Sequence, residues 1–218
     1  MDRPQKVALK NEEAAKIAQA LANPVRLKLL GALNQREMHV DELAARLGLP
    51  RGNTSAQLRG LHRAGLVAAR RDGRRVFYRL SDPAVASLLV TVQATASRTS
   101  AVFQTLLRDH FGEVTPLEAE QLVALLDEVD AGRVRLLDVR APDDHAAAHL
   151  PGAENLPLPR LEAEGPEAFG LDPAQPIAVY CRGRYCVAAA DATALLRAKG
   201  FTVTNLFASA GEALSLLP

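Results

Sequence analysis

Along the first part of the chain, apolar residues recur every three or four positions, as they do on one face of an α-helix. One such stripe covers residues 14–21, and Asn23-Pro24 then supplies a cap and a first-turn proline for a second helix. A third stripe, from Val40 to Leu47, ends at Gly48, and a fourth helix is predicted from about Arg51 to Ala64. A short helix, a tight turn and a second helix together predict a helix-turn-helix.

The fourth predicted helix carries polar side chains that can hydrogen-bond to phosphates and base edges. They are expected to be exposed, and they are Arg51, Asn53, Thr54, Ser55, Gln57 and Arg59. Two strand-like runs follow, separated by Asp72-Gly73, a dipeptide typical of a type I′ hairpin. Four arginines surround the hairpin tip: Arg70, Arg71, Arg74 and Arg75. Such a cluster could be a solvated turn, but after a helix-turn-helix it favours a wing that contacts DNA.

One long helix is predicted between the two halves of the chain, from about Asp82 to Phe111. Its apolar stripe suits either pairing with a second copy of the chain or packing into the domain core. The residues of that stripe are Val85, Leu88, Leu89, Val92 and Ala96. We place the domain boundary after this helix, so that residues 1–112 and 113–218 form separate domains.

The second half shows a different pattern, in which short apolar runs alternate with helical segments. Thr115-Pro116-Leu117-Glu118 is typical of a capping box at the start of a helix. The runs 133–139, 177–180 and 201–206 are typical of buried parallel strands, with a helix from about Val187 to Lys199 before the last. The sequence thus predicts a mainly α winged helix-turn-helix followed by an α/β domain with a central parallel sheet.

Charge is divided unevenly between these halves. Residues 1–112 hold 18 Lys and Arg against 9 Asp and Glu, whereas residues 113–218 hold 8 against 16. The basic half is suited to a polyanionic partner, because neutralising phosphates supplies much of the affinity for nucleic acid. We find no apolar run long enough to span a membrane, and the polar start does not resemble a signal sequence. We therefore expect a cytoplasmic protein that binds double-stranded DNA and no membrane.

Both cysteines fall in one segment, Cys181-Arg182-Gly183-Arg184-Tyr185-Cys186, between a predicted strand and its helix. Backbone N–H groups and the positive end of a helix dipole meet at such a position, so the pKa of a cysteine there should be lowered. We expect Cys181 to be a reactive thiol, kept reduced in the cytoplasm, whose anionic persulfide the same N–H groups would stabilise while Gly183 lets the backbone curl around the sulfur. The alternative is that both cysteines are small buried hydrophobic residues.

The first half resembles the ArsR family of winged-helix repressors over about residues 11–111. The resemblance rests on Asn23–Leu27, Glu42-Leu43-Ala44, Leu58–Leu61, Gly65-Leu66-Val67 and the Asp-Gly wing. It implies a homodimer that binds operator DNA and releases it when an inducer, often a metal ion, binds. Residues 37–41 lack the cysteines that soft-metal sensors of this family carry. His39, His62 and His110 stand alone, so we expect no metal site and no cofactor.

The second half looks like the rhodanese domain over about residues 113–210. The similar segments are Leu137–Arg140, residues 149–157 and Val179–Gly183. The resemblance implies that Cys181 carries sulfane sulfur as a persulfide and that Asp138 and Arg140 support the site structurally. It also implies that the persulfide is cradled by the loop residues Arg182, Gly183, Arg184 and Tyr185. Cys186 stands where sulfurtransferases more often have Arg, Thr or Ser, and a second thiol there could attack the persulfide. The tryptophan-containing terminal helix of many rhodaneses is missing.

These observations favour a dimeric repressor that senses reactive sulfur species through Cys181 and Cys186, with a sulfane-sulfur donor such as polysulfide or thiosulfate. An alternative is a sulfurtransferase enzyme with an attached DNA-binding domain. A third, smaller alternative is a sensor of arsenic or another thiophilic metal that uses the same two cysteines, although two ligands rarely suffice.

Overall fold

The computed structural model describes residues 1–112, 114 and 117–217. The chain forms two compact units, Met1–Ala94 and a second unit that begins at Thr95. The sequence predicts a boundary near Gly112, but the contacts divide the chain earlier. The reason is that the helix Ala101–His110 contacts the helix Val187–Ala198 and so belongs to the second unit.

The first unit contains helices around a three-stranded antiparallel sheet. Its elements are α1 (Arg3–Leu21), α2 (Pro24–Leu33), β1 (Met38–His39), α3 (Val40–Leu47), α4 (Arg51–Arg63), β2 (Val67–Asp72), β3 (Arg75–Leu80) and the start of α5 (Pro83–Thr99). The strand order is β1-β3-β2. The predicted caps are confirmed, because Asn23 Oδ1 accepts hydrogen bonds from Val25 N and Arg26 N, and Gly48 is left-handed at φ 62°. This is a winged helix-turn-helix.

The wing differs from its predicted turn by one residue. Asp72 pairs with Arg75, so the two-residue loop is Gly73-Arg74 rather than Asp72-Gly73. A type I′ turn needs positive φ at both loop residues, but of Gly73 and Arg74 only Gly73 has a positive φ, of 56°. The type I′ prediction is therefore wrong, and glycine at the first loop position is what a type II′ turn requires.

The predicted long helix is also wrong, because it is broken at Ser100. That residue is extended at φ −102° and ψ 115°, and its Oγ accepts a hydrogen bond from Phe103 N. Ser100 thus caps a separate helix, α6 (Ala101–His110), and α5 ends at Thr99. Within α5, Val85 and Leu89 are buried in the core of the first unit, so the apolar stripe contributes to that core.

The second unit is built around a parallel sheet. Its further elements are α7 (Ala119–Asp130), β4 (Arg135–Asp138), α8 (Pro142–Ala147), β5 (Ala153–Asn155), α9 (Leu158–Glu164), a 3-10 turn (Pro166–Phe169), β6 (Ile177–Cys181), α10 (Val187–Ala198), β7 (Val203–Ser209) and α11 (Ala210–Leu214). The strand order is β5-β4-β6-β7, and the pairs are parallel. The edge strand β5 was not predicted. Of the predicted capping box, Thr115 and Pro116 lie outside the described residues.

The sheet is buried on both faces because its side chains alternate between two apolar clusters. Leu137, Val179 and Cys181 point into a cluster completed by α9 and α10. Leu136 and Tyr180 point into the opposite cluster, with α7 and α11. Cys181 and its neighbour Tyr180 therefore lie on opposite faces of the same strand.

Candidate functional site

The two cysteines lie at the carboxyl end of the central strand. Cys181 is the last residue of β6 and aligns with Ser209 at the end of β7. Cys186 caps the N-terminus of α10. The four residues between them form a loop at the edge where parallel sheets commonly bind ligands. Sequence reasoning placed Cys181 in the loop itself, whereas the structure holds it within the strand.

Cys181 and Cys186 are joined by a disulfide bond, with their Cα atoms 6.2 Å apart. Free thiols were expected at both positions, so this structure corrects that expectation and shows an oxidised loop. A local turn makes the bond possible, because Cys186 N donates to Gly183 O at 3.1 Å and brings the chain back toward β6. Cys181 is 1% exposed, whereas Cys186 is half-buried. In this oxidised state a reductant in solution therefore reaches Cys186 more easily than Cys181.

Gly183 gives the loop its curvature. Its φ of 140° is a conformation that L side chains rarely adopt, so glycine is needed there for backbone reasons. Arg182 forms an isolated bridge with Ser209, which anchors the start of the loop to β7. Arg182 is exposed and Arg184 is half-buried, which gives the loop two cationic side chains.

Glu212 was missed in the sequence, although it lies beside the loop. Its Oε2 atom is 3.5 Å from the point where a Cβ on Gly183 would stand. The same atom accepts a hydrogen bond of 2.7 Å from Ser209 N, while Ser209 Oγ accepts one from Glu212 N. This is a capping box, and the Ser-x-x-Glu pattern at 209–212 could have predicted it. The carboxylate offsets part of the loop's positive charge.

Tyr185 was expected to help cradle a persulfide, but its side chain has other partners. The Tyr185 hydroxyl donates to Ser97 Oγ at 3.1 Å. Its ring lies 5.3 Å from the ring of Phe103, centroid to centroid, with the planes tilted by 59°. Only the backbone of Tyr185 therefore belongs to the loop around the cysteines, and its side chain contacts α5 and α6.

Asp138 and Arg140, which were predicted to support the site structurally, lie in a buried network at the end of β4. The fully buried Asp138 carboxylate accepts from Arg140 Nη2 at 2.6 Å and from the Tyr180 hydroxyl at 2.9 Å. Tyr180 in turn accepts from Leu150 N at 3.1 Å. Burial, together with the negative charge of Asp138, raises the pKa of Tyr180, so the phenol stays protonated and donates. The network ties the ends of β4 and β6 together on the sheet face opposite Cys181.

The predicted DNA-contacting residues are divided between α4 and the wing of the first unit. Five of them line one cavity of about 290 Å³: Arg51, Ser55, Arg59, Arg74 and Arg75. Asn53 and Arg71 are also exposed. Arg70 is paired with Glu37 at 2.7 Å and lies over the Phe77 ring, so it also fixes the base of the wing. The structure thus brings five of the ten predicted residues to one concave, cationic surface.

Two residues of this set are placed differently from the sequence expectation. Thr54 is fully buried, and its Oγ1 donates to Pro50 O at 3.2 Å, so its predicted exposure is wrong. The helical stripe turns Thr54 inward because it precedes the core residue Leu58 by one turn. Gln57 is half-buried and accepts from Arg26 Nε at 2.8 Å, which links α4 to α2.

The predicted lone histidines have structural contacts in two cases. His39 Nδ1 accepts from Glu42 N at 3.4 Å and its ring packs edge-on against Phe77. His62 Nδ1 lies 3.0 Å from Val67 O. In residues 1–112, 114 and 117–217 no group of three or more His, Cys, Asp or Glu is arranged to hold a metal ion. Over the same described residues, no helix has the length and apolar character to span a membrane.

Comparison with known proteins finds similarity in both units. Residues 23–69 match the model of bacterial regulatory proteins of the arsR family, and residues 118–209 match the rhodanese-like domain. The chain is 37% identical over 195 residues to the HTH-type transcriptional regulator Rv0324 of Mycobacterium tuberculosis, covering 89% of this chain and 84% of that protein. It is 40% identical over 85 residues to the uncharacterized HTH-type transcriptional regulator Rv0081 of the same organism, covering 38% of this chain and 75% of that protein.

Among solved structures, similarity is found to the homodimeric winged helix-turn-helix DNA-binding domain of Mb0332 from Mycobacterium bovis, described as a possible ArsR-family regulator. That domain is 39% identical, with 46% of this chain and 90% of that chain covered and a TM-score of 0.41.

Proposed function

We propose that this chain, which belongs to the ArsR family of transcription regulators and carries a rhodanese-like domain after its winged helix, is a repressor controlled by reactive sulfur species. In this proposal a homodimer binds operator DNA through the first unit, in the cytoplasm. The second unit receives sulfur from a polysulfide or thiosulfate donor at Cys181. The observation that carries the proposal is the bond between Cys181 and Cys186 across the rhodanese loop.

The cationic cavity of the first unit supports DNA as the partner. Arg51 and Arg59 come from α4, while Arg74 and Arg75 come from the wing, and all four line the same concave surface. Arginines from two elements on one surface can contact successive phosphates, and the exposed Asn53 on the same helix can reach a base edge. We assign phosphate contacts to the arginines and sequence preference to Asn53.

The chemistry at the loop takes two steps. The Cys181 thiolate attacks a sulfane sulfur of the polysulfide, the S–S bond of the donor breaks, and the shortened donor leaves with the electron pair. The Cys186 thiolate then attacks Sγ of the Cys181 persulfide and expels hydrosulfide. The two thiols lose two electrons and become the disulfide, while the sulfane sulfur is reduced to hydrosulfide. If two sulfurs remain on Cys181, attack one atom further out gives a trisulfide and again expels hydrosulfide.

A direct test uses the full chain and follows sulfur and DNA separately. Intact-mass measurement after polysulfide treatment should detect added sulfur on Cys186→Ser and a two-hydrogen loss on the wild type. Fluorescence anisotropy, with a duplex selected from a random pool by the reduced protein, should show binding weakened by about ten-fold or more at one fixed salt concentration. Dithiothreitol should restore binding. Equal affinity of the reduced and treated wild type would contradict the sensor.

The sulfurtransferase alternative makes a different prediction in a steady-state assay. An enzyme must return Cys181 to its thiolate by passing the sulfur to an acceptor such as cyanide, repeatedly and without a reductant. A sensor whose Cys186 closes the disulfide should instead stop after about one turnover until dithiothreitol is added. Multiple turnovers by the wild type, together with an unchanged DNA affinity, would favour the enzyme.

A further inference from the structure

Tyr185 connects the sulfur loop to the helices that leave the first unit. It precedes Cys186 directly, within the turn closed by the hydrogen bond from Cys186 N to Gly183 O. Its hydroxyl donates to Ser97 Oγ near the end of α5, and its ring packs against Phe103 in the first turn of α6. The side chain is half-buried, so both contacts are partly shielded from water. One loop side chain therefore contacts both helices.

We propose that Tyr185 transmits the redox state of Cys181 and Cys186 to the junction between α5 and α6. This inference rests on the proposed function, because it names how the same site is read out. Tyr185 is a positioning residue in this scheme and takes no part in the sulfur chemistry. A change in the redox state of the two cysteines therefore changes the angle between α5 and α6, or their order, where they meet at Ser100.

The disulfide constrains the position of Tyr185. While Cys186 is bonded to Cys181, the backbone on both sides of the turn is tied to β6, and the adjacent Tyr185 has little freedom. After reduction, the bond that ties Cys186 to β6 is gone, and the turn is held by its hydrogen bond from Cys186 N to Gly183 O. The Tyr185 ring can then leave or shift its place between Ser97 and Phe103. The two redox states thus differ in their interaction with the junction, as an effector must if it is to shift an equilibrium.

The junction is suited to respond to such a change. Ser100 is the extended residue between α5 and α6, and its Oγ accepts from Phe103 N. Ser97 and Phe103 lie on either side of it, so a side chain that contacts both restrains the bend. Upstream, the same helix α5 contributes Val85 and Leu89 to the core of the first unit. A shift of Ser97 is therefore carried by one continuous helix toward residues that support the DNA-binding elements.

The test compares four variants of the full chain. Tyr185→Phe removes the hydroxyl and keeps the ring, Tyr185→Ala removes both contacts, and Ser97→Ala removes the acceptor from the other side. Thr99→Ala is the matched control, because the Thr99 hydroxyl is exposed and donates to Thr95 O within its own helix. For each protein we measure sulfur uptake by intact mass, DNA affinity in the reduced and polysulfide-treated states, and hydrogen exchange of the amides from Thr95 to Gln104.

The wild type and Thr99→Ala should show the full difference in DNA affinity between the two states, about ten-fold or more. Tyr185→Phe and Ser97→Ala should lose part of it, and Tyr185→Ala should bring the two states within about two-fold. Sulfur uptake and disulfide closure should be unchanged in all four variants. The exchange rate of the Phe103 amide should differ between states in the wild type and not in Tyr185→Ala.

Two results would overturn the role of Tyr185. One is a wild-type affinity ratio retained by Tyr185→Ala, and the other is the lack of any state-dependent exchange around Ser100 in the wild type. If the wild type shows a Tyr185-dependent exchange difference but no DNA response, the repressor proposal fails while the transmission to the helices stands. Separate readouts of the junction and of DNA keep the two conclusions distinguishable.

Discussion

Replacing Asp138 by asparagine tests the buried network that holds the ends of β4 and β6. The Asp138 carboxylate is fully buried and accepts from Arg140, itself 4% exposed, and from Tyr180. Asparagine has nearly the same size, but it carries no charge and presents an amide N–H₂ toward groups that also donate. The variant therefore leaves the buried Arg140 guanidinium without the Asp138 charge, and one donor loses its acceptor.

The expected cost follows from that burial. Removing one partner of a buried ion pair destabilises a protein by about 3–5 kcal/mol, and because asparagine keeps one acceptor oxygen we expect about 3 kcal/mol here. For a unit of this size that corresponds to a fall in Tm of roughly 10–15 °C. Circular dichroism of the full chain measures the Tm, because the chain lacks tryptophan for a fluorescence measurement. Dithiothreitol is present so that the disulfide does not contribute to stability.

The matched control is Glu128→Gln, which breaks an ion pair of the same length on the surface. Glu128 Oε2 accepts from Arg133 Nε at 2.6 Å, as Asp138 accepts from Arg140 at 2.6 Å, but the side chains of Arg133 and Glu128 are 61% and 44% exposed whereas those of Arg140 and Asp138 are buried. Exposed pairs contribute little because water already solvates both charges. We expect no measurable change in its Tm. If Asp138→Asn unfolds at the same temperature as Glu128→Gln, the network does not stabilise the unit in the way argued.

Three further results are expected. The double variant Arg74→Ala, Arg75→Ala should weaken binding to all duplexes and lower the salt dependence of binding, whereas Asn53→Ala should change sequence preference. Fluorescence anisotropy over a salt series checks both expectations. An unchanged dependence of log affinity on log salt concentration in the double variant would exclude the wing as a phosphate contact. Gly183→Ala should slow sulfur uptake, because φ 140° strains an alanine by about 1–3 kcal/mol. Gly170→Ala changes a left-handed glycine outside the loop 181–186 and should leave uptake unchanged. Cys181→Ser should take up little sulfur, and equally fast labelling of its Cys186 would refute the assignment of the acceptor.

Local signals in the sequence predicted those features that depend on neighbouring residues. Asn23 caps α2 through its own side chain, and Gly48 ends α3 because it adopts a left-handed conformation. The apolar run at 177–180 predicted β6, which in the structure extends one residue further, to Cys181. These features are encoded within a few residues, so one chain without structural data is enough to predict them.

Features that depend on distant contacts were not predictable in this way. Strand β5 has three residues and exists because Leu136 and its neighbours in β4 pair with it. The break at Ser100 was hidden because the apolar stripe runs through it, although serine is a good helix cap. The contact between Tyr185 and Ser97 joins residues 88 positions apart, and the pattern around either one carries no sign of the other. The candidate site was found from the sequence, whereas its connection to the helices required the structure.

The contacts of Tyr185 are large enough to carry the proposed regulation. A ten-fold change in DNA affinity requires a coupling free energy of about 1.4 kcal/mol. A hydrogen bond such as that from Tyr185 to Ser97 contributes about 0.5–1.5 kcal/mol, and an aromatic pair such as that with Phe103 adds about 0.5–1.5 kcal/mol beyond its buried area. If one redox state of the loop keeps both contacts and the other loses them, about 1–3 kcal/mol separates the two states at the α5–α6 junction. DNA affinity can change by the full ten-fold only if most of that difference reaches the first unit. A response reduced in Tyr185→Phe and further reduced in Tyr185→Ala is therefore expected from energetics as well as from geometry.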